Sequence, residues 1–406
     1  MKLLSICIPN YNRIDKLERL LREAASQIID KDLTKLVEIC VSDDCSLINP
    51  QQLIDSIRKE YAQVGICFRR NKENRGMDYN FLNSVMMASS EYCWIIGNDD
   101  MPNADSIFKV ITFIKLKPNT DIFLTPFDVY DNKNIVRTSI YPLRGEKEIV
   151  FDTSIVEQYS ELLLSVRHNS GLFGFLSNVV FLRRNWEKYR ECFLDKLNTI
   201  FIQMYMNIQT LKDGAIFRYI PDKIVKNYTD DKTNESIERI CRILIGLDGV
   251  VEYFFDGIEK EHLKRIIVDA YISGRVWDLP DKNIFKENVR AINSPKNKLY
   301  KKYFVPIEVR KNFLLDKQIL IYGAGEYGHK VYKELMEYNA TIIGVADSAE
   351  SKKGLLFEGF KIMTVEEMVE LYTSQELYVL VANHFYLEEM IATLQDNKIK
   401  NIGIIS

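Results

Sequence analysis

Four times in the first hundred residues, a short apolar run is followed by a segment whose apolar residues recur every three or four positions. Residues 3–8 precede Ile14, Leu17, Leu21, Ala24 and Ile28, which share one helical face. Residues 37–41 precede Leu53, Ile54, Ile57 and Tyr61, residues 66–68 precede a helix predicted over 78–88, and residues 92–96 precede one near 106–116. Such alternation forces right-handed crossovers and a mainly parallel sheet, so the chain must be α/β. Asn12 is the expected cap of the first helix, with Asp15 in its first turn. A strand at 122–125, a hairpin over 129–141 and a strand at 179–182 extend this domain to about residue 230. At 406 residues the chain exceeds one ordinary core. A second strand–helix alternation starts at 318–322 and continues through strands at 341–345, 377–381 and 402–405, with helices over 329–338 and 365–371. The predicted division is 1–230, a helical segment 231–312 bearing Ile240, Leu244, Leu263 and Ala270, and a small Rossmann-like domain 313–406. A charged, poorly patterned link is expected at 294–302.

Composition excludes several classes. Hydrophobic residues make up 47% and charged residues 27%, as in a folded globular protein, and the net charge of −3 gives no global reason for nucleic-acid binding. The seven cysteines lack the paired spacing of a zinc site and read as buried, reduced thiols of a cytoplasmic protein. The first residues enter a strand at once, which is not the pattern of a secretory signal. No apolar run approaches the roughly 20 residues that span a bilayer, so membrane contact is expected to be peripheral, at most at the inner face of the cell membrane.

Chemistry gathers where the strands end. Pro9-Asn-Tyr-Asn-Arg13 follows the first strand, Ser42-Asp-Asp-Cys-Ser46 the second, Asn71-Lys-Glu-Asn-Arg-Gly76 the third and Gly97-Asn-Asp-Asp100 the fourth. Aspartate is common in turns for its own backbone bonds. Four polar turns at the carboxyl edge of one sheet nevertheless lie where such sheets bind ligands. Adjacent carboxylates at Asp99 and Asp100 suit a divalent cation that also holds a diphosphate. Acidic residues at the second turn can accept from a nucleobase or ribose, Tyr11 can cover a base, and Gly76 permits a tight turn.

In this order the turns resemble the family 2 glycosyltransferases of GT-A fold, and with Phe173-Gly-Phe-Leu-Ser-Asn178 and Arg183-Arg184 they look most like abequosyltransferase-type enzymes of bacterial surface polysaccharide synthesis. The resemblance implies a metal-dependent hexosyl- or deoxyhexosyltransferase. It would take a nucleoside-diphosphate sugar and a glycan or lipid-linked saccharide acceptor. By position, Pro9, Tyr11 and Arg13 would line the nucleotide pocket, with Asp43 and Asp44 toward the base. Asp78 and Asn80 would lie beside the ribose or donor sugar, and Asn98, Asp99 and Asp100 beside the diphosphate. Asp99 and Asp100 would hold Mn²⁺ or Mg²⁺. The sequence departs from the family pattern twice: Gly97 replaces the first acid of the metal motif, and Ile202-Gln203 replaces the acidic pair that supplies the general base. Asp195 or Asp128 then takes the proton, or the reaction is not the standard inverting displacement.

Gly323, Gly325 and Gly328 follow a strand and open a helix, and Asp347 falls where a ribose-binding acid would. This module is expected to bind a nucleotide structurally or in regulation, or to carry NAD chemistry as a sugar-nucleotide oxidoreductase; for the whole chain, the missing acidic pair at Ile202-Gln203 also leaves a non-catalytic sugar-nucleotide-binding scaffold as a reading. A second domain can also supply a homo-oligomer interface. His168 reads as a solvated histidine, and Phe173, Phe175 and Trp186 as core or as sugar-stacking surface.

Overall fold

The computed structural model describes residues 2–131, 133–145, 147–228, 237–269, 292, 295–305, 307–383 and 386–405. Ala270 and most of the second half of the predicted 231–312 segment lie outside them. Chain contacts divide the protein into two units, Met1–Ile267 and Val268–Ser406, so the helices Ile237–Phe254 and Gly257–Leu263 belong to the first.

The first unit begins β1 (Leu4–Asn10), α1 (Ile14–Asp30), β2 (Val37–Asp43), α2 (Gln51–Glu60), β3 (Gly65–Arg70), α3 (Met77–Met86) and β4 (Tyr92–Ile95). After β5 (Met101–Pro102) and α4 (Ser106–Leu116) come β6 (Ile122–Leu124), the hairpin β7 (Phe127–Tyr130) and β8 (Val136–Ile140), β9 (Ile149–Asp152) and α5 (Val156–Ser165). Then follow β10 (Val179–Leu182), α6 (Arg183–Tyr189), α7 (Ile202–Lys212), β11 (Ile216–Tyr219) and β12 (Val225–Tyr228). The α/β architecture expected of a GT-A domain forms.

The main sheet has the order β3-β2-β1-β4-β10-β6-β11-β9. Its first four strands are parallel, and β10 inserts antiparallel between β4 and β6. Side chains alternate across a strand, so Ile6, Ile8, Ile39 and Val41 face Leu17, Leu21, Ala24 and Ile28 of α1 and Ile54 and Ile57 of α2. The chain winds outward from β1 to β3, then crosses back to place β4 on the other side of β1. That reversal opens a crevice between the ends of β1 and β4. A smaller sheet, β5-β12-β7-β8, contains the strand that starts directly after Asp100.

Asn12 does not cap α1. Arg13 is the N-cap residue and makes no side-chain cap, whereas Asn12 adopts φ +54° and accepts at Oδ1 from Leu47 N at 2.8 Å. Its short amide is more useful tying two site turns together than closing one helix. Among the cysteines, Cys7, Cys40, Cys93 and Cys241 are buried and Cys67 and Cys192 are exposed; all seven are free thiols.

The second unit holds α10 (Pro295–Tyr303) where a charged, poorly patterned link was expected, then α11 (Ile307–Leu314). β13 (Gln318–Tyr322), α12 (Glu326–Glu337), β14 (Thr341–Ala346), β15 (Leu356–Phe357), β16 (Phe360–Met363), α13 (Val365–Ser374), β17 (Tyr378–Val381), α14 (Leu387–Asp396) and β18 (Ile402–Ile404) follow. The sheet order β15-β16-β14-β13-β17-β18 again reverses beside its first strand, and its core draws on Leu314, Ile321, Val331, Val345 and Leu380. No described helix is long and apolar enough to cross a membrane.

The central core of the first unit uses residues 4–225 alone. A chain ending at Ile267 should therefore fold cooperatively and retain a single melting transition by circular dichroism. A molten, non-cooperative product would show that the second unit completes the core.

Candidate active site

Asn10, the last residue of β1, joins three of the four turns. Its Nδ2 donates to Asp43 Oδ1 at 2.7 Å, its Oδ1 accepts from Asn98 Nδ2 at 2.7 Å, and its carbonyl accepts from Asp44 N at 2.9 Å and Asn80 Nδ2 at 3.2 Å. Asn80 in turn accepts from Ser42 Oγ, and Asn83 donates to the same hydroxyl. The members are buried, so each unmade bond would carry its full desolvation cost, and the network fixes the turns as one piece.

Asp43 has no exposed surface: Asn10, Ser46 N and Ser46 Oγ bond its carboxylate, and Arg70 lies 3.5 Å away. Asp44 accepts from Asn71 Nδ2 at 2.7 Å and from the backbone N–H groups of Arg75 and Gly76, each at 2.9 Å. It thereby holds the tight turn in which Gly76 takes φ +89°. Asp78 is buried too and caps another element: its carboxylate accepts from Ile200 N at 2.8 Å and Ile202 N at 3.3 Å, at the start of α7. Burial raises its pKa against those backbone bonds. Pro9 lies buried within β1. Of the predicted donor-side residues, Tyr11, Arg13 and Asp99 present substantial surface to the crevice; the rest build its frame.

The two adjacent aspartates differ. Asp99 is half-exposed and ion-paired with Arg13. Asp100 is buried, accepting from Ser177 Oγ at 2.5 Å and Asn227 Nδ2 at 2.8 Å. Burial first, then the neighbouring Asp99 charge, push the Asp100 pKa up to about 7 against Ser177, Asn227 and Arg13. Ser177 also accepts from Gly97 N at 2.9 Å, so the loop before β10 clamps this turn. A Cβ on Gly97 would meet Asp99 Oδ1 at 3.0 Å and Asp100 Oδ2 at 3.2 Å. Both carboxylates thus converge on the space that an acidic side chain at 97 would occupy. Ser177 stood in a quoted motif without a role, and Asn227, 127 residues from Asp100, left no signal in the local sequence.

The two base candidates lie apart from this cradle. Asp128 is held by Lys223 and Ser139. In the small sheet it pairs with Lys226, one residue before the Asn227 that reaches Asp100, so alternation turns it to the opposite face. Asp195 is exposed beside Lys196, at 2.7 Å, which lowers its pKa. It lies in the helical segment Arg190–Lys196, whose Phe193 packs on Tyr205 in the first turn of α7 with ring centroids 5.6 Å apart. Gln203 is buried in α7, and its Oε1 has no partner among the described residues.

Other expectations are corrected. His168 is part-buried rather than free in solvent: its Nδ1 accepts from Ser170 N at 3.2 Å, and burial lowers its pKa to about 4. Phe173 and Trp186 are core; Trp186 stacks on Phe181 at 4.4 Å and donates to Asn207. Only Phe175 of that set is part-exposed, against Phe127. In the second unit, Asp347 accepts from Ala324 N at 2.8 Å, Ala349 N at 2.9 Å and Lys352 Nζ at 2.8 Å. The one group of cysteine and acidic side chains close enough to share an ion among the described residues, Glu38, Cys40 and Cys67, is remote from this chemistry: Glu38 is already bonded by Ser5 and Ser89.

A reversal crevice framed by polar turns, with paired carboxylates at its mouth, is where a sheet of this kind binds its ligand, and the sequences similar to this chain are glycosyltransferases. Residues 5–173 match Glycosyl transferase family 2. Abequosyltransferase RfbV of Salmonella typhimurium is 28% identical over 352 residues, 84% of this chain and 99% of that protein. Among solved structures, S. aureus TarS 1–349 in complex with UDP-GlcNAc is similar at a TM-score of 0.48 and 14% identity, over 77% of this chain and 79% of that one. The mannosyltransferase PcManGT from Pyrobaculum calidifontis, in complex with GDP-Man and Mn²⁺, is similar at 0.45 and 15%, over 73% and 78%.

Two outcomes follow from the network. Asn10→Ala should cost about 2–4 kcal/mol in denaturant unfolding, because Asp43 and Asn98 both lose a buried partner. Asp100→Asn keeps both bonds, donating to Ser177 and accepting from Asn227. The stability that wild type draws from a neutral Asp100 is complete below about pH 3.8 and lost as pH rises through about 7. The melting temperature of Asp100→Asn should therefore gain on wild type between those values and stay ahead by a constant margin above. A margin independent of pH would refute the neutral state.

Proposed function

We propose that the protein transfers a sugar, a hexose or deoxyhexose, from a nucleoside diphosphate to a glycan or lipid-linked saccharide in bacterial surface polysaccharide synthesis. The observation that carries this reading is the cradle at Gly97, where Asp99 and Asp100 oxygens converge beside Arg13 at the β1–β4 crevice. Two carboxylate oxygens are hard donors, and they fit a divalent cation better than a soft metal. Asp99 would be its main ligand and Asp100 the second, and Mn²⁺ or Mg²⁺ there would offset charge on the diphosphate leaving group.

The chain's own residues do the rest. Arg13, freed from Asp99, has the reach and charge to pair with a phosphate oxygen. Tyr11 covers the base, and Asp43 and Asp44 act by holding the turns that shape the base and ribose pockets. Asn80 and Asn98 keep β1, α3 and β4 in register with the donor. Asp78 positions the acceptor side by fixing the start of α7. For the proton of the attacking hydroxyl we assign Asp195, which is exposed near that helix, over Asp128, which is bound to Lys223 on the other face. We read the second unit as supporting rather than redox-active, since three donors already occupy Asp347 where a ribose would bind.

Isothermal titration of nucleoside diphosphates with and without Mn²⁺ tests the cation, and turnover with sugar nucleotides tests the transfer. Asp99→Ala should abolish metal-dependent nucleotide binding with the fold intact. Asp195→Asn should lower kcat roughly 10²–10⁴-fold with donor affinity retained. Full transfer by Asp99→Ala would end the site assignment, and full transfer by Asp195→Asn would end that of the base alone.

A further inference from the structure

Residues 295–317 hold six lysines and Arg310 against Glu308 and Asp316, a strongly basic stretch in a chain whose total charge is −3. They form α10 and α11, which join through residues 304–306 and are tied by Arg310 Nε donating to Val305 O at 2.9 Å. Arg310 is buried and also donates to Glu334 at 3.0 and 3.1 Å. With Leu314 it forms the inward face of α11.

The lysines behave differently. Lys298, Lys301, Lys302 and Lys311 are exposed, and no carboxylate among the described residues pairs with them. Elsewhere, exposed lysines are either matched, as Lys31 with Asp105, Lys188 with Asp213, Lys260 with Glu252 and Lys353 with Glu367, or dispersed along the chain, as Lys35, Lys59 and Lys115. α11 leaves Val309 and Phe313, one turn apart, and the following Leu315 more than two-fifths exposed. Lys317 lies 4.4 Å over the Phe313 ring. Exposed apolar side chains on a lysine-rich helix pair suit the headgroup–acyl boundary of an anionic bilayer, where stems and rings sink while charges stay at the phosphates.

We propose that α10 and α11 form a membrane-docking surface for anionic phospholipid, which holds the enzyme at the bilayer in which a lipid-linked acceptor would be embedded. A nucleic acid fits less well. The lone arginine of the stretch is turned inward, so no guanidinium fork remains for bidentate contact with phosphate or base. Lysines suit a diffuse field of negative headgroups.

Flotation of the full-length protein with vesicles tests this without any sugar donor, so its failure and that of the transferase reading are separate. Binding should be strong to equal parts phosphatidylcholine and phosphatidylglycerol, weak to phosphatidylcholine alone, and should fall with added salt. The triple variant Lys301→Glu, Lys302→Glu, Lys311→Glu should lose at least roughly a hundred-fold in partitioning, about five-fold for each lysine neutralised and more on reversal. Phe313→Ser should weaken binding several-fold with the salt dependence retained. A matched triple on the first unit, Lys35→Glu, Lys59→Glu, Lys115→Glu, should bind as wild type does. Should the triple α10–α11 variant not fold, Lys301→Glu and Lys311→Glu singly give the same steps. Equal binding to both vesicle types, equal loss in the matched triple, or binding to a single-stranded oligonucleotide but not to vesicles would overturn the proposal.

Discussion

One asparagine side chain and its carbonyl hold the crevice together. Asn10 ends β1, and its amide spans from Asp43 to Asn98 while its carbonyl receives Asp44 N and Asn80. A parallel sheet leaves its strand ends diverging at a reversal point, which opens space for a ligand but supplies no backbone ladder across it. Side-chain bonds must replace that ladder. Amides serve because each offers both donors and acceptors, and a chain of them can be fully satisfied without net charge. The frame is rigid before any ligand arrives, and pre-organisation lowers the entropic cost of binding.

Within that frame, two chemically identical residues are given different tasks by their surroundings. Asp100 is enclosed by Ser177 and Asn227 and favours its neutral form; Asp99 reaches solvent and meets Arg13. Gly97 belongs to the same device. Its missing side chain is the space into which both carboxylates turn, so the departure from an acidic residue there follows from local packing. A second like charge so close would raise the pKa of its neighbours further.

The second unit repeats the reversal of the first with different polar chemistry. Gly328 is closed on by the Gly323 carbonyl, where a Cβ would come within 2.1 Å, and Asp347 is spent on the turn and on Lys352. Close backbone approach accounts for Gly328, and φ +121° with the Ala382 carbonyl 2.7 Å from any Cβ for Gly323, whereas a Cβ at Gly325 would meet nothing within 4 Å. What distinguishes this unit is the basic helix pair before its sheet, which gathers four exposed lysines without a carboxylate partner among the described residues.

Period-two and period-3.6 patterns placed β1, β2, β4, β10 and β13 within two residues of their observed limits, because burial of one face is a local property of the sequence. The four polar turns were legible for the same reason: each directly follows its strand, and parallel strands bring their ends to one edge. The helix over 295–303 was not legible, since lysines at four of its nine positions break up the apolar stripe. Asp43 and Asp44 could be recognised as site residues but not as frame rather than contact, which depends on Asn10, Asn71 and Arg70 arriving from other strands. Asp128 and Asp195 were indistinguishable in one dimension; strand alternation and Lys223 separate them. Sequence by itself determined the α/β class, the edge at which chemistry collects and the residue types available there. Tertiary structure alone decided which carboxylate is buried and which is open, because desolvation and hydrogen bonding come from partners such as Asn227, more than a hundred residues away.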